Sequence, residues 1–243
     1  MKAKTALGAA IEALRPAVDA RTAVLPILNG LSHIQLLEEA FGTERVLGGL
    51  AIIQATLTLS GTVRHLAPFT SVTFGELDGR LSERIQALQT ALAGTPVKAE
   101  AVPDICGRMW EKLVSIGTLA GATVLMRGNL GEIARAPDGA AWLERLLMRN
   151  VAIAAANGHP VRPEALEGMI LPFFRREVPG SEGATASMLR DLEAGAQTEA
   201  DHILGFLLEA ARRGGVPDEL HEAAYLHTQA YEARRAAGRL PHP

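Results

Sequence analysis

The chain has 243 residues, 48% of them hydrophobic, enough to bury a sizeable core as one large domain or two small ones. A net charge of −3 gives no basic excess for a nucleic-acid footprint, and a single cysteine, Cys106, excludes a disulfide framework and points to a reducing, cytoplasmic setting. The longest uncharged apolar run, residues 113–126, is shorter than the ~20 residues a bilayer span needs, so no membrane partner is expected.

Residues 5–18 carry Leu7, Ala10, Ile11 and Leu14 at helical spacing, with no uninterrupted apolar stretch of the signal-peptide kind. "TAVLPI" (22–27) reads as a short strand ended by "NG", and a helix follows through Leu31, Ile34, Leu37 and Phe41. This α-β-α order has the texture of a parallel sheet. From Val46 to Leu77 the chain is rich in Thr, Val, Ile and Gly; two or three strands are expected, with a turn at Ser60-Gly61. Leu81, Ile85, Leu88 and Leu92 then mark a helix, and "VKAEAV" (97–102) a last strand stopped by Pro103.

Beyond Pro103 the pattern is helical throughout. Segments 104–126, 138–157, 162–175, 186–194, 199–213 and 217–236 each show a 3.6-residue period, with breaks at "GNLG", "NGHP", "VPGSEG", "AGAQ" and "GGVP". The chain therefore divides near residue 102 into a short α/β part and an all-helical part, mainly α overall.

The usual chemistries leave few marks. Neither GxGxxG nor GxxxxGK[ST] occurs. His221 opens "HEAAY", but Tyr225 stands where an HExxH site needs its second histidine, and no metal is expected. Cys106 has no basic neighbour in sequence and reads as a small buried residue. Lys112 leaves two readings open. Set after Trp110 in an apolar helix without another charge until Arg127, it is either a lysine snorkelling from a helix end or a partly buried ammonium able to donate a proton. Gly117 and Gly121, one turn apart on the same helix, make it a candidate for the centre of the bundle. Glu199 also has two readings: a first-turn acid between the Thr198 cap and Asp201 of a capping box, or a site residue. Ser187 suits a helix start and Asn29 a turn.

Taken in order, these signals resemble the ketopantoate reductase (2-dehydropantoate 2-reductase) family. A strand ends in "NG", "WEK" opens an apolar helix, "SML.D" is followed by "TE.D", and "GFLLEAARRGGVPDELHEAAY" is similar to the family's closing helices. The resemblance runs from about Lys2 to about Arg235. It implies the end of a Rossmann-like nucleotide-binding domain over 1–102, then a helical substrate-binding and dimerisation domain over 103–243, of the kind that closes 6-phosphogluconate dehydrogenase. It also implies NADPH as cofactor, a small 2-keto acid as substrate and a homodimer as assembly. By the same resemblance Lys112 is the general acid on the keto oxygen and Glu199 its carboxylate partner. Ser187 contacts the substrate, Asn29 lies near nicotinamide and substrate, and Lys2 lies beside the cofactor. The family's asparagines four and eight residues after the lysine, and three before the serine, are here Ile116, Ala120 and Ala184. Without GxGxxG two function classes stand side by side: an NADPH-dependent 2-keto acid reductase, or a non-catalytic helical binding and oligomerisation module.

Overall fold

The computed structural model describes residues 2–53, 55–58, 60–65 and 70–240, and the side chains of residues 2–6, 56 and 57 lie outside that description. Two compact units result, Met1–Met109 and Trp110–Pro243.

The first unit opens with helix α1 (Lys2–Leu14), which ends where Pro16 enters a short 3-10 turn, Arg15–Ala17. Ile11 of α1 packs with Leu37 and Phe41 of α2 (Ser32–Phe41) and with Val46. Between these helices the expected strand over 22–27 does not form. Val24 makes one parallel bridge to Val46, with its N–H on the Arg45 carbonyl and its own carbonyl taking the Leu47 N–H. The next ladder donor would be residue 26, a proline without an N–H, so pairing stops after one bridge.

Five strands follow instead of two or three plus a last one: β1 (Leu47–Ile52), β2 (Ala55–Leu57), β3 (Val63–His65), β4 (Ser71–Glu76) and β5 (Lys98–Ala101). β2 and β3 pair antiparallel around Ser60-Gly61, where Gly61 takes a φ of +80°. The main sheet has the order β1-β4-β5 and is mixed, because β4 runs antiparallel to β1 and parallel to β5. The parallel-sheet texture expected of this part is thus corrected to a mixed sheet whose first pair is antiparallel, its two strands joined by residues 53–70, which contain β2 and β3. On one face Leu47 and Phe74 meet Ile85 from α3 (Glu83–Leu92), whose first turn is capped by Ser82. On the other, Leu50 meets Val102, Ile105 and Met109. Gly48 and Gly75 stand opposite each other on β1 and β4, and a Cβ on either would strike Ile105 or the Val102 carbonyl, at 2.7 Å and 2.3 Å respectively. The paired glycines make the slot that seats the start of the long helix α4 (Ile105–Met126).

The second unit is built around α4. Its neighbours are α5 (Leu130–Arg135), α6 (Gly139–Ala156), α7 (Pro163–Ala165), α8 (Leu171–Phe174), α9 (Ser187–Glu193), α10 (Phe206–Gly214) and α11 (Glu219–Ala236). α5 sits inside what reads as the "GNLG" break. Its reciprocal capping box, Asn129 with Glu132, stabilises a helix too short to show a period. Wide π turns occupy Leu166–Ile170 and Asp201–Gly205, the second leading into α10. At Gly121 the α4 surface meets Leu146 of α6, Leu204 and Ala224 of α11. Deeper still, Asn150 of α6 donates to the Thr118 hydroxyl of α4 (2.8 Å) and pairs through Oδ1 with His221 Nε2 of α11 (2.8 Å), so one buried polar relay ties three helices.

Candidate functional site

Three residues of α4 set up the site. Trp110, 4% exposed, stacks on His159 at 5.6 Å and 18° and leans on Phe206 at 5.6 Å, with the Arg213 guanidinium over the Phe206 ring at 5.8 Å. Glu111, equally buried, takes two hydrogen bonds from the Arg162 guanidinium (2.7 and 2.8 Å) and one from the Arg162 backbone N–H. Lys112 comes next and is half-buried. Burial lowers its pKa below the ordinary lysine value, and the negative charge of Glu199 pulls it back up. Both sequence readings begin from such a lysine, partly desolvated near the start of an apolar helix, and the charge of Glu199 reaches it.

Glu199 stays exposed on the connection between α9 and α10. The capping box expected around it does not form. The Thr198 hydroxyl donates to Glu232 of α11 (2.9 Å), as does the Thr198 N–H (2.7 Å), instead of capping the helix that follows. Asp201 is no cap either; its Oδ1 accepts from the Tyr225 hydroxyl (2.9 Å) and the Gln229 amide (2.8 Å). Long-range partners on α11 thus outcompete the local motif. Tyr225, Gln229 and Glu232 were not legible as site neighbours, although their i, i+4, i+7 spacing puts them on one helix face.

Ser187 is the first residue of α9 and exposed, with Ala186 in the N-cap position. The Ala186 N–H donates to Thr123 (3.3 Å), which fastens this helix start to α4 three turns beyond Lys112, about 16 Å along the axis. Asn29 lies exposed in the first unit, just before Gly30 with its φ of +83°. Lys2 opens α1, and its side chain lies outside the described residues. Lys112 and Glu199 are therefore the pair brought into electrostatic reach. Ala120 is buried and Ile116 and Ala184 partly so, which leaves these α4 and pre-α9 positions apolar. Cys106 is half-buried with its thiol toward the Leu77 carbonyl (3.8 Å), and burial raises its pKa. Among the described residues no three His, Cys, Asp or Glu side chains converge as metal ligands, and no helix is long and apolar enough to cross a membrane.

A family model described as ketopantoate reductase PanE/ApbA C terminal matches residues 104–232, and one described as ketopantoate reductase PanE/ApbA matches residues 2–79. The chain belongs to the ketopantoate reductase family. YkpB of Bacillus subtilis (strain 168), named an uncharacterized oxidoreductase, is 36% identical over 233 residues, covering 94% of this chain and 74% of that protein. The 2-dehydropantoate 2-reductase of Halobacterium salinarum is 30% identical over 190 residues, 78% of this chain and 60% of that one. The chain thus spans about three fifths of the length of that ketopantoate reductase, and 62% of the length of the one from Archaeoglobus fulgidus. Among solved structures, 2-dehydropantoate 2-reductase from Methylococcus capsulatus matches with a TM-score of 0.77 at 29% identity, over 93% of this chain and 75% of that one. D-mandelate dehydrogenase, solved with NADH and anilino(oxo)acetate, shares the fold at a TM-score of 0.79 and 20% identity, over 93% of this chain and 72% of that one. The Rossmann-like first part and helical second part expected of a ketopantoate reductase are the architecture found.

Proposed function

We propose that this chain carries the substrate-protonating half of an NADPH-dependent 2-keto acid reductase, acting on ketopantoate or a related branched keto acid. The observation that carries it is the placement of Lys112, half-buried on the apolar helix α4 next to the Glu111–Arg162 pair, with the charge of Glu199 in electrostatic reach. Reduction of a 2-keto acid needs two electrons and a hydrogen on the carbonyl carbon, and a proton on the oxygen. A bound nicotinamide would supply the hydride. Lys112 gives its Nζ proton to the oxygen and stabilises the alkoxide as it forms. Glu199 keeps that lysine protonated and aimed. By the family resemblance Ser187 would contact the substrate in the helical unit, and Asn29 would serve the nicotinamide end of a bound cofactor in the first unit.

The residues present fit the substrate more fully than the dinucleotide. Asn29 and Gly30 make an exposed turn of the kind that meets a ligand, but no GxGxxG cradle for the pyrophosphate occurs in these 243 residues. Ile116, Ala120 and Ala184 offer no side-chain hydrogen bond to a substrate hydroxyl. We infer a site that ranks keto acids by apolar bulk, since it lacks the polar groups that a wrong substrate would leave unpaired.

Loss of NADPH absorbance with ketopantoate and with simpler branched 2-keto acids tests the reading. Turnover should fall about 10²-fold or more in Lys112→Met. Absence of both turnover and NADPH binding in the wild-type chain would remove the assignment and favour the non-catalytic module.

A further inference from the structure

Glu199 is exposed, yet Thr198 just before it and Asp201 two residues after it are both held by one helix. Glu232 of α11 receives the N–H and hydroxyl of Thr198, and is itself held by Arg235 (2.9 Å). One turn back, Gln229 donates to Asp201, and a further turn back the Tyr225 hydroxyl donates to the same oxygen. Upstream, the Tyr231 hydroxyl donates to the Ala196 carbonyl (2.7 Å). The hydroxyl end of the Tyr225 ring lies against Gly205, where a Cβ would sit 3.0 Å from it, so this one side chain spans the π turn from Asp201 to Gly205. Leu207 of α10 fills the notch at Gly117 of α4, five residues after Lys112; a Cβ there would lie 2.3 Å from the Leu207 side chain.

We propose that Tyr225, Gln229 and Glu232 form a polar ladder of positioning residues that sets Glu199 against Lys112. None of the three touches the reacting atoms. They fix the backbone on both sides of Glu199, while the Gly117 notch fixes the helix that carries Lys112 against the same segment. A carboxylate on an exposed connection would otherwise spread over many rotamers and backbone states, and its average charge effect on the lysine would fall. The proposal rests on the Lys112–Glu199 pairing advanced above.

The chain has four lysines, Lys2, Lys4, Lys98 and Lys112, so reductive ¹³C-methylation gives a spectrum in which Lys112 is assigned by its loss in Lys112→Arg. The pH titration of that signal is the readout, and it needs neither substrate nor cofactor. Glu199→Gln should move the Lys112 midpoint down by about half a pH unit or more. Tyr225→Phe, which keeps the ring on Gly205 and deletes only the hydroxyl, and Glu232→Ala should each move it part of the way in the same direction. Glu232→Gln, which still offers Thr198 an acceptor, should restore most of it. In a Glu199→Gln background the ladder changes should add nothing. Folding of every variant is checked by its thermal transition. If Glu199→Gln shifts Lys112 but folded Tyr225→Phe and Glu232→Ala do not, the ladder is structural only and the inference is overturned. If Glu199→Gln leaves Lys112 unmoved, the pairing itself is wrong and both fall together.

Discussion

Arg162 grips the Glu111 carboxylate with two guanidinium bonds and a backbone N–H, one residue before Lys112 on α4. The pair joins the loop ahead of α7 to the turn of α4 that carries the candidate general acid. Glu111 is 7% exposed at its side chain and Arg162 38%, so the acid is the desolvated partner. Arg162→Ala should therefore cost more than Glu111→Gln, because it strands a buried charge. We expect about 2 kcal/mol, below the ~3–5 kcal/mol for fully buried pairs since Arg162 is partly solvated. Urea unfolding of the two variants measures the difference; an equal or smaller loss in Arg162→Ala would contradict this reading.

Gly117 and Gly121 look equivalent in sequence but meet different surroundings. A methyl at Gly117 lands 2.3 Å from the fully buried Leu207, whereas at Gly121 the nearest atoms are 3.7 Å or more away. Gly117→Ala should destabilise by about 1–3 kcal/mol through overpacking. Gly121→Ala should be neutral or stabilise by up to about 1 kcal/mol, as alanine does in a helix interior. The Gly117 loss should shrink in a Leu207→Ala background, and additivity of the two changes in denaturant titrations would exclude the contact as its cause.

His221 gives a pH dependence with a defined sign. Burial, with a smaller contribution from the Arg149 charge, pushes its pKa down to about 4. The unfolded chain takes up a proton near pH 6.5 that the folded chain refuses until about pH 4, so stability is unaffected above pH 7 and is lost as pH falls between those values. The loss at pH 5 is about 2 kcal/mol for this group. His221→Gln, which can still donate to Asn150, should flatten that limb of the stability–pH curve. An unchanged slope between pH 7 and 5 would place the dependence elsewhere.

Much of the helical unit is legible because its helices are long: α4 is apolar over most of its length, α6 buries Leu143, Leu146, Leu147 and Ile153 on one face, and α11 keeps the period although His221 and Thr228 share its buried side. What escapes is short or competitive. α5 has six residues, too few for a period, although the Asn129–Glu132 spacing is its signature. Pro26 is visible in sequence, but its consequence depends on Val24 pairing with Val46, a contact across 22 residues. Thr198 and Asp201 satisfy a local capping pattern and lose it to Glu232, Tyr225 and Gln229, partners that only the packing of α11 supplies. In the candidate site, Lys112 and Glu199 stand out through family resemblance and their chemistry, whereas the α11 partners of Thr198 and Asp201 are tertiary and leave no linear trace.

The π turn at Asp201–Gly205 has a further consequence for how this segment tolerates change in length. It holds one residue more than a regular α-helix would use over the same rise. Deleting one residue there, His202 for example, would let the turn close into ordinary helix. With α10 kept in place by Leu207 in its notch, everything upstream would swing about 100° around the helix axis, carrying Glu199 off Lys112. Such a deletion would have the effect of Glu199→Gln on Lys112 while leaving both side chains in the sequence.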